Sequence, residues 1–589
     1  MRFHFSPRPN RAHEIQWRAW SAQTFAEAQA QDKPVLLAIS AVWCHWCHVM
    51  DETTYSSPHV AQILNERYIP IRVDNDQRPD INARYNMGGW PTTALLTPNG
   101  MTLTGGTYVP EHQMLQMLEG VERYYREHRG EIEQRIGELR TRPHPQRAGD
   151  LRDSMVTRVV EEISDAYDDV YGGFGTQPKF PHTEQLELLL LEYRLFGDGR
   201  LHEIVAKTML AMSSGGMYDH VEGGFFRYST TRDWSVPHFE KMTEDHAGLL
   251  KLLGSLVLLG DSQFEPALRS ATGYVLSVLR EPDGPFFAGS QDADEAYYAL
   301  NLERRREKQP PYIDRTVYAN WNAMLVSALY RVAVALDDAT IAHAATAVVE
   351  ALHDRMRDAD GLLNHFLPPG GEPQTRGLLT DQAAYLRALL DAFEYTGRQQ
   401  FLTRAHALVE AIDRRFPHAD GPYDDHAAIE EKIGNLVFTD RPLQENASVA
   451  DGFLRLAALN GDQSYREKAA TILRAYARSY GAAGTFAASY ARAVRRYLTP
   501  EPTITIVASE PEATPFRAAA LRVNEPLVSI AAIDPSNEAA LRERGYEKMQ
   551  RPAAYFCRGN TCAPPVFEPA ELPSVVAEFK RLQMTAPAQ

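Results

Sequence analysis

Cysteine is scarce in this chain: four in 589 residues, too few for a disulfide framework at that length. They fall as two close pairs, Cys44 with Cys47 and Cys557 with Cys562. In a reducing compartment a close pair points to catalysis or metal binding rather than to scaffolding. An excess of positive charge is lacking as well. Lysine and arginine number 61 against 77 aspartates and glutamates, a formal net charge of -16, so the basic footprint of a nucleic-acid partner is missing. Long apolar runs are also missing. "MRFHFSPRPNRAHEIQW" holds no apolar core of the secretory type, and no later run approaches the roughly 20 residues of a membrane span. A cytoplasmic chain without membrane partners is the expectation.

What is present is a globular composition, 44% hydrophobic and 23% charged, in a chain long enough for several units. From about 20 to 110 the pattern alternates. "AQTFAEAQAQ" reads as a helix, "KPVLLAIS" as a buried strand and the segment after the cysteines, to about Glu66, as one helix. "YIPIRVD" comes next as a strand, 79 to 87 as a polar helix, and "PTTALLTP" with "MTLTGGTY" as a hairpin about Asn99-Gly100. A charged helix then runs to about 140. "RTRPHPQRAGD" cannot continue it, which makes 141–150 a linker between an α/β domain at 1–140 and a helical region beginning at 151.

From 151 to 498 the chain is nearly all amphipathic helix, punctuated by six similar turns: "DDVYGGFG", "DHVEGGFFRY", "DGPFFAGS", "DGLLNHF", "DGPYDD" and, more weakly, "GAAGTFAAS". Their glycines stand at 172, 223, 284, 361, 421 and 484. Each spacing has room for two helices, and a period of this length marks an array whose units cannot bury their apolar faces alone. Six helical hairpins fit a closed (α/α)6 toroid; the alternative is an irregular bundle with glycine-rich turns. From 499 to 589 strands return as "TITIVAS", "PLVSIAAID" and "AAYFCR", a small C-terminal α/β segment closed by a helix at "ELPSVVAEFKRL".

Cys44-His45-Trp46-Cys47-His48 admits three chemistries. A haem attachment needs an exported chain and a distal ligand, and does not belong between a buried strand and a helix. Zinc needs two more ligands, which Cys557 and Cys562 could supply from a great distance in sequence. Redox exchange fits the context best. At a helix N-terminus the unsatisfied N–H groups and dipole favour a Cys44 thiolate, with Cys47 resolving and His45 adding positive charge. Trp90-Pro91 is a candidate cis peptide opposite the pair. Protein thiols or disulfides are the partners this chemistry implies, and neither a cofactor nor a metal is expected.

"KPVLLAISAVWCHWCHVMDETTYSSPHVAQILNERYIPIRVDNDQRPDINARYNMGGWPT" resembles the spermatogenesis-associated protein 20-like thioredoxin-domain family, also catalogued as domain of unknown function 255. "GGTYVP", "YGGFGTQPKFPHT", "MYDHVEGGFFRYSTTRDWSVPHFEKM", "SQDADE", "ANWNAMLVSAL", "LLTDQAAYL" and "YFCRGNTCAPP" look like that family's blocks in its order, so the resemblance covers nearly the whole chain. It implies a thioredoxin-like domain joined to a six-hairpin toroid similar to N-acylglucosamine 2-epimerases and glycosidases. The toroid in turn suggests carbohydrate metabolism by analogy of fold. Two departures stand out: the segment between "DAD" and "WN" is short, and Glu244 and His246 replace a tyrosine and an asparagine.

Loops on one rim of a toroid surround a central cavity, where polar residues distant in sequence converge. Sugar chemistry needs paired acid–base groups and aromatic faces. His238 with Glu240 or Asp245, and Asp292 or Asp294 opposite, are the candidate catalytic groups. Lys179, Asp219, His220, Arg227, Tyr228, Trp234, Trp321, Asn322, Asp381, Glu445 and Asn446 are the candidate contacts to a carbohydrate-like ligand. The same polar residues equally suit a hydrogen-bonded network that holds the rim loops in shape.

Overall fold

Val35–Ser40 (β1) is buried at all six positions, as a strand covered on both faces must be. It is central in a four-stranded sheet of order β2-β1-β3-β4, with Ile69–Asp74 (β2) parallel to it, Thr92–Leu96 (β3) antiparallel, and Thr102–Gly106 (β4) antiparallel to β3. The computed structural model describes residues 3–132, 134, 148–418, 421–427, 432–523 and 525–585. Most of the expected linker lies outside them. The chain forms two compact units, 1–145 with 425–440, and 146–424 with 441–589.

In the first unit the sheet is flanked by Ala22–Gln31 (α1), His45–Glu52 (α2), Pro58–Arg67 (α3), Pro79–Tyr85 (α4) and Glu111–Glu127 (α5), the thioredoxin layout. The single helix read after the cysteines is two. α2 ends at Glu52, where Thr53 leaves helical geometry, and Ser57, extended before Pro58, starts α3 by accepting the Val60 N–H. Residues 425–440, read from sequence as toroid, belong to this unit. Arg84 donates to both Asp425 oxygens, at 2.7 and 3.0 Å, and Tyr85 accepts the Asn435 N–H at 2.7 Å. Gly434 approaches so closely that a Cβ there would stand 2.3 Å from the Tyr85 hydroxyl.

The second unit is a ring of helical hairpins. The inner helices are Thr183–Phe196 (α7), Thr243–Leu258 (α9), Ala319–Leu336 (α11), Leu379–Thr396 (α13), Leu443–Asn460 (α15) and Ala488–Leu498 (α17). Each packs on the next, and α17 packs back on α7. Asp153–Asp165 (α6), Gly199–Ser214 (α8), Glu265–Tyr274 (α10), Ala339–Ala351 (α12), Gln399–Arg415 (α14) and Gln463–Tyr476 (α16) form the outer layer. This closed ring is the (α/α)6 toroid, and the six glycine turns all lie where an outer helix leads into an inner one. No helix of the described residues is long and apolar enough to cross a membrane.

The C-terminal segment repeats the first sheet strand for strand. Pro502–Val507 (β5), Glu510–Leu521 (α18), Ser529–Ile533 (β6), Glu538–Glu543 (α19), Ala553–Arg558 (β7), Thr561–Cys562 (β8) and Leu572–Thr585 (α20) give the order β6-β5-β7-β8, with β6 parallel to β5 and the other pairs antiparallel. It packs on the C-terminal ends of the inner helices: Arg544 donates to the Ala458 and Leu459 carbonyls, and Arg496 to that of Leu527. Cys557 and Cys562 pair across the β7–β8 hairpin and are joined by a disulfide.

Candidate functional site

Reactive side chains collect in two places, one in each unit. After β1 the chain turns through Ala41–Trp43 and makes Cys44 the N-cap of α2, where its Sγ accepts the Cys47 N–H at 3.2 Å. A thiolate in that position is favoured by the helix dipole. Cys44 and Cys47 are joined as a disulfide, Cα to Cα 5.2 Å. The turn shows solvent its Trp46, 51% exposed and packed 5.4 Å from Tyr108, while Cys44 is only 4% exposed. The turn is therefore exposed at the tryptophan and not at the sulfur.

Trp90-Pro91 is cis and leads into β3 beside β1. Trp90 meets Trp43 edge-on at 5.7 Å, and the Trp43 indole N–H donates to Asp76 at 2.6 Å, so an aromatic contact joins the proline loop to the cysteine turn. His45 is half-buried and edge-on to Trp46. His48, the ligand a haem would need, is held neutral: burial first, then His4, pushes it down to about 4. Asp51, one turn beyond Cys47, is buried in a two-point ion pair with Arg72, at 2.8 and 2.9 Å.

On the toroid rim the repeated turns have a repeated internal device. Asp168 Oδ1 accepts the Val170 and Tyr171 N–H groups, while the wholly buried Lys179 donates to Asp168 Oδ2 at 2.6 Å and to the Gly172 carbonyl at 2.7 Å. The second turn repeats this, with Asp219 accepting from Val221 and buried Lys241 donating to Asp219 at 2.7 Å and to Gly223 at 2.8 Å. Arg305, from the short segment after "DAD", joins Asp219 at 2.7 Å. Trp234 is buried over Lys179, donates to the Tyr171 and Gly172 carbonyls and leaves no room for a Cβ at Gly173. Lys179 and Asp219 thus face into their own turns, and Trp234 into the turn of the preceding repeat.

A second device sits at the fourth residue of four inner helices. Asn322 accepts the Phe287 N–H and donates to the Phe287 and Tyr318 carbonyls. Gln382 does the same for Leu363 and Leu378, and Asn446 for Tyr423 and Pro442. In α9 the position is His246: Nε2 accepts the Phe225 N–H at 2.9 Å and Nδ1 donates to the Met242 carbonyl at 2.6 Å. Burial lowers this imidazole to about 4, which preserves the neutral form that the two bonds require.

The groups brought together for acid–base work are fewer. Glu240 is buried against His238, Oε2 to Nδ1 2.5 Å. Tyr228 stacks on His238 at 4.8 Å. Asp245, in the first turn of α9, is pushed up to about 7 by burial, with Arg227 opposing and Glu244 and Glu240 adding to the rise. Among the described residues, one oxygen each of Glu240 and Asp245 is buried without a hydrogen bond, as are Asp381 Oδ2 and Asn320 Oδ1, all at or near the start of an inner helix. Asp381 is paired with His365 at 2.9 Å, both buried; His365 was missed in the sequence because it stands alone in "DGLLNHF" with no partner nearby. Of the other candidates, Asp292 is buried, accepts the Ala293 N–H and follows Gln291, which pairs with Lys241 next to Glu240; Asp294 caps the short helix Glu295–Tyr298, His220 bonds the Gly215 carbonyl, Trp321 packs on Tyr318, and Glu445 opens α15 half-buried.

Residues 8–142 match a thioredoxin-type family model described as "Protein of unknown function, DUF255". The chain is 24% identical to human spermatogenesis-associated protein 20, over 95% of this chain and 89% of that one. It is 22% identical to an uncharacterized protein of Caenorhabditis elegans, over 96% and 95%. Among solved structures the fold is similar to cellobiose 2-epimerase from Bacillus thermoamylovorans B4167, with 12% identity, 59% of this chain and 99% of that chain covered, and a TM-score of 0.47. The chain thus carries a DUF255 thioredoxin-type domain followed by a six-hairpin toroid, and is similar over nearly its whole length to spermatogenesis-associated protein 20.

Proposed function

We propose that the chain is a cytoplasmic thiol–disulfide oxidoreductase acting on protein disulfides through Cys44 and Cys47. The observation that carries this reading is the placement of Cys44 as the N-cap of α2, with Cys47 one turn in and the cis Pro91 loop beside them. In the reducing direction the Cys44 thiolate attacks one sulfur of a client disulfide, the client S–S bond breaks, and the departing sulfur leaves as a thiolate that takes up a proton. Cys47, as its thiolate, then attacks Cys44 Sγ, frees the second client thiol and closes the pair. The client gains two electrons, and a thiol reductant restores the pair. Trp46 and Tyr108 give the client an aromatic surface. Cys44→Ser is expected to abolish turnover of a model disulfide, while Cys47→Ser traps the mixed disulfide. A reduced Cys44 that resists alkylation near neutral pH, or full turnover in Cys44→Ser, would sink the reading.

A second reading rests on His238–Glu240 and Asp245, an acid–base cluster with one carboxyl near neutrality. It makes the toroid a sugar isomerase or hydrolase with a structural thioredoxin domain. Turnover of a sugar from a panel of N-acylated and neutral sugars by a Cys44→Ser, Cys47→Ser variant, lost in Asp245→Asn, would favour it.

A further inference from the structure

A cavity of about 250 Å³ lies in the second unit, lined by all six inner helices and by Leu521, Val523, Glu525 and Leu527 of the C-terminal segment. A site to which every inner helix contributes is on the ring's axis. It lies toward the helix C-termini, at the end away from the glycine turns and from His238. An apolar lining would be the default for the centre of a helical ring, but here the helices turn charge inward. The ninth residues of α9, α11, α13 and α15 are Lys251, Ser327, Arg387 and Asp451, and the residues four further on are Ser255, Arg331, Asp391 and Arg455. An i, i+4 pair lies on one helix face, so these stripes face the axis by register.

The charges do not cancel. Seven cationic and five acidic side chains line the cavity, and each carboxylate already has a cation. Glu187 is held by Lys251 at 2.8 Å and by Arg492, Asp451 by Arg496 at 2.8 Å, and Asp391 and Glu394 by Arg455 at 2.7 and 3.1 Å. Glu525 is held by Arg558 and Lys580, which lie outside the lining. Arg331 and Arg387 form no ion pair or hydrogen bond among the described residues; the first feels Asp391 and Glu394 through space, and the second acts on Glu187 and Asp451 in the same way. Burial lowers Arg331, and burial with Arg331 pushes Arg194 down to about 10. Helix dipoles do not account for the surplus, because their field fades within the last turn and Arg387 is the ninth of eighteen residues in α13.

We propose that this axial cavity binds a small phosphorylated molecule, with Arg331 and Arg387 receiving the phosphate. Guanidinium groups suit a phosphate because their N–H forks match its oxygens in pairs. The volume, roughly that of eight liquid waters, accommodates a diphosphate or a compact sugar phosphate. The test is calorimetric titration of the full chain with inorganic pyrophosphate and glucose 6-phosphate, with glucose as the neutral control. Binding of at least one anion at millimolar or lower concentration is expected, weakening with added salt and absent for glucose. Arg331→Gln with Arg387→Gln should weaken it by roughly tenfold or more. Ser327→Glu, which leaves both arginines in place and adds a negative charge, should do the same and guards against a double variant that fails to fold. No binding of either anion by the wild-type chain, or undiminished binding in a folded variant, overturns the proposal.

Discussion

His246 and Asn322 hold the same place in successive repeats, and each accepts the N–H of a buried phenylalanine while donating to the carbonyl four residues earlier. The asparagine seen by resemblance at 246 and the histidine that replaces it do the same work, because both offer one acceptor and one donor at the necessary separation. His246→Asn is therefore expected to change unfolding free energy by less than about 1 kcal/mol, whereas His246→Ala, which leaves a buried N–H and a buried carbonyl unmet, should cost about 2–3 kcal/mol. Denaturant titration monitored by circular dichroism checks both. The sequence showed that residues such as Asn322 and Asn446 are polar at helix starts. It did not show that they clamp the preceding turn, because that bond spans more than twenty residues and depends on how hairpin and helix dock. Lys179 and Trp234 were hidden in the same way: only the fold reveals that they point into the turn.

At the scale of elements, residues 425–440 are fastened to α4 by charge. His426 lies 3.0 Å from Asp425 and 3.4 Å from Asp80. Burial would lower His426, but the two carboxylates outweigh it and raise the imidazole; burial would raise Asp80, but His426 and Arg78 hold it well below the carboxylate range. A raised histidine contributes stability that is full below its unfolded value, about 6.5, and is lost as pH climbs through the folded value. A depressed aspartate contributes stability that is lost as pH falls below about 3.9. Amide exchange at Asn435, corrected for intrinsic rate, should thus be slowest between those limits and quicken on the alkaline side, and His426→Phe should remove the alkaline change. The secondary-structure pattern was legible in the α/β domain and in the helical repeats. The departure of this stretch from the ring was not, since "DGPYDD" reads as one more repeat turn and no local signal marks where the chain leaves it.

For the molecule as a whole, the chain begins and ends on one sheet topology, and the two copies differ in chemistry. Where the first has Cys44 at the helix N-terminus, the second has Ser509 before α18, so it has no thiol at the position that activates one. Pro552 precedes β7 as Pro91 precedes β3, but the second pair of cysteines lies in the hairpin. Its disulfide closes a short loop, and Cys557→Ala with Cys562→Ala is expected to cost about 2 kcal/mol without slowing disulfide turnover at Cys44. Equal loss of turnover would instead make the hairpin part of the redox path. The likeness of the two sheets was hidden in sequence because topology is set by burial pattern and strand order, which unlike residues satisfy equally.

Closure of the ring has a consequence for synthesis. α7 and α17 meet through Glu192 and Arg495, buried partners 303 positions apart in the chain. A chain growing from its N-terminus makes five inner helices before the sixth exists, and in that interval the apolar flanks of α7 and α15 have no neighbour on one side. Contacts so distant in sequence form late, and an open flank accepts whichever matching helix arrives first. At high concentration that helix belongs to another nascent chain, so refolding concentrated protein is expected to give an exchanged dimer in which each α17 completes the other's ring, seen as a dimer peak in size-exclusion chromatography that is absent after dilute refolding.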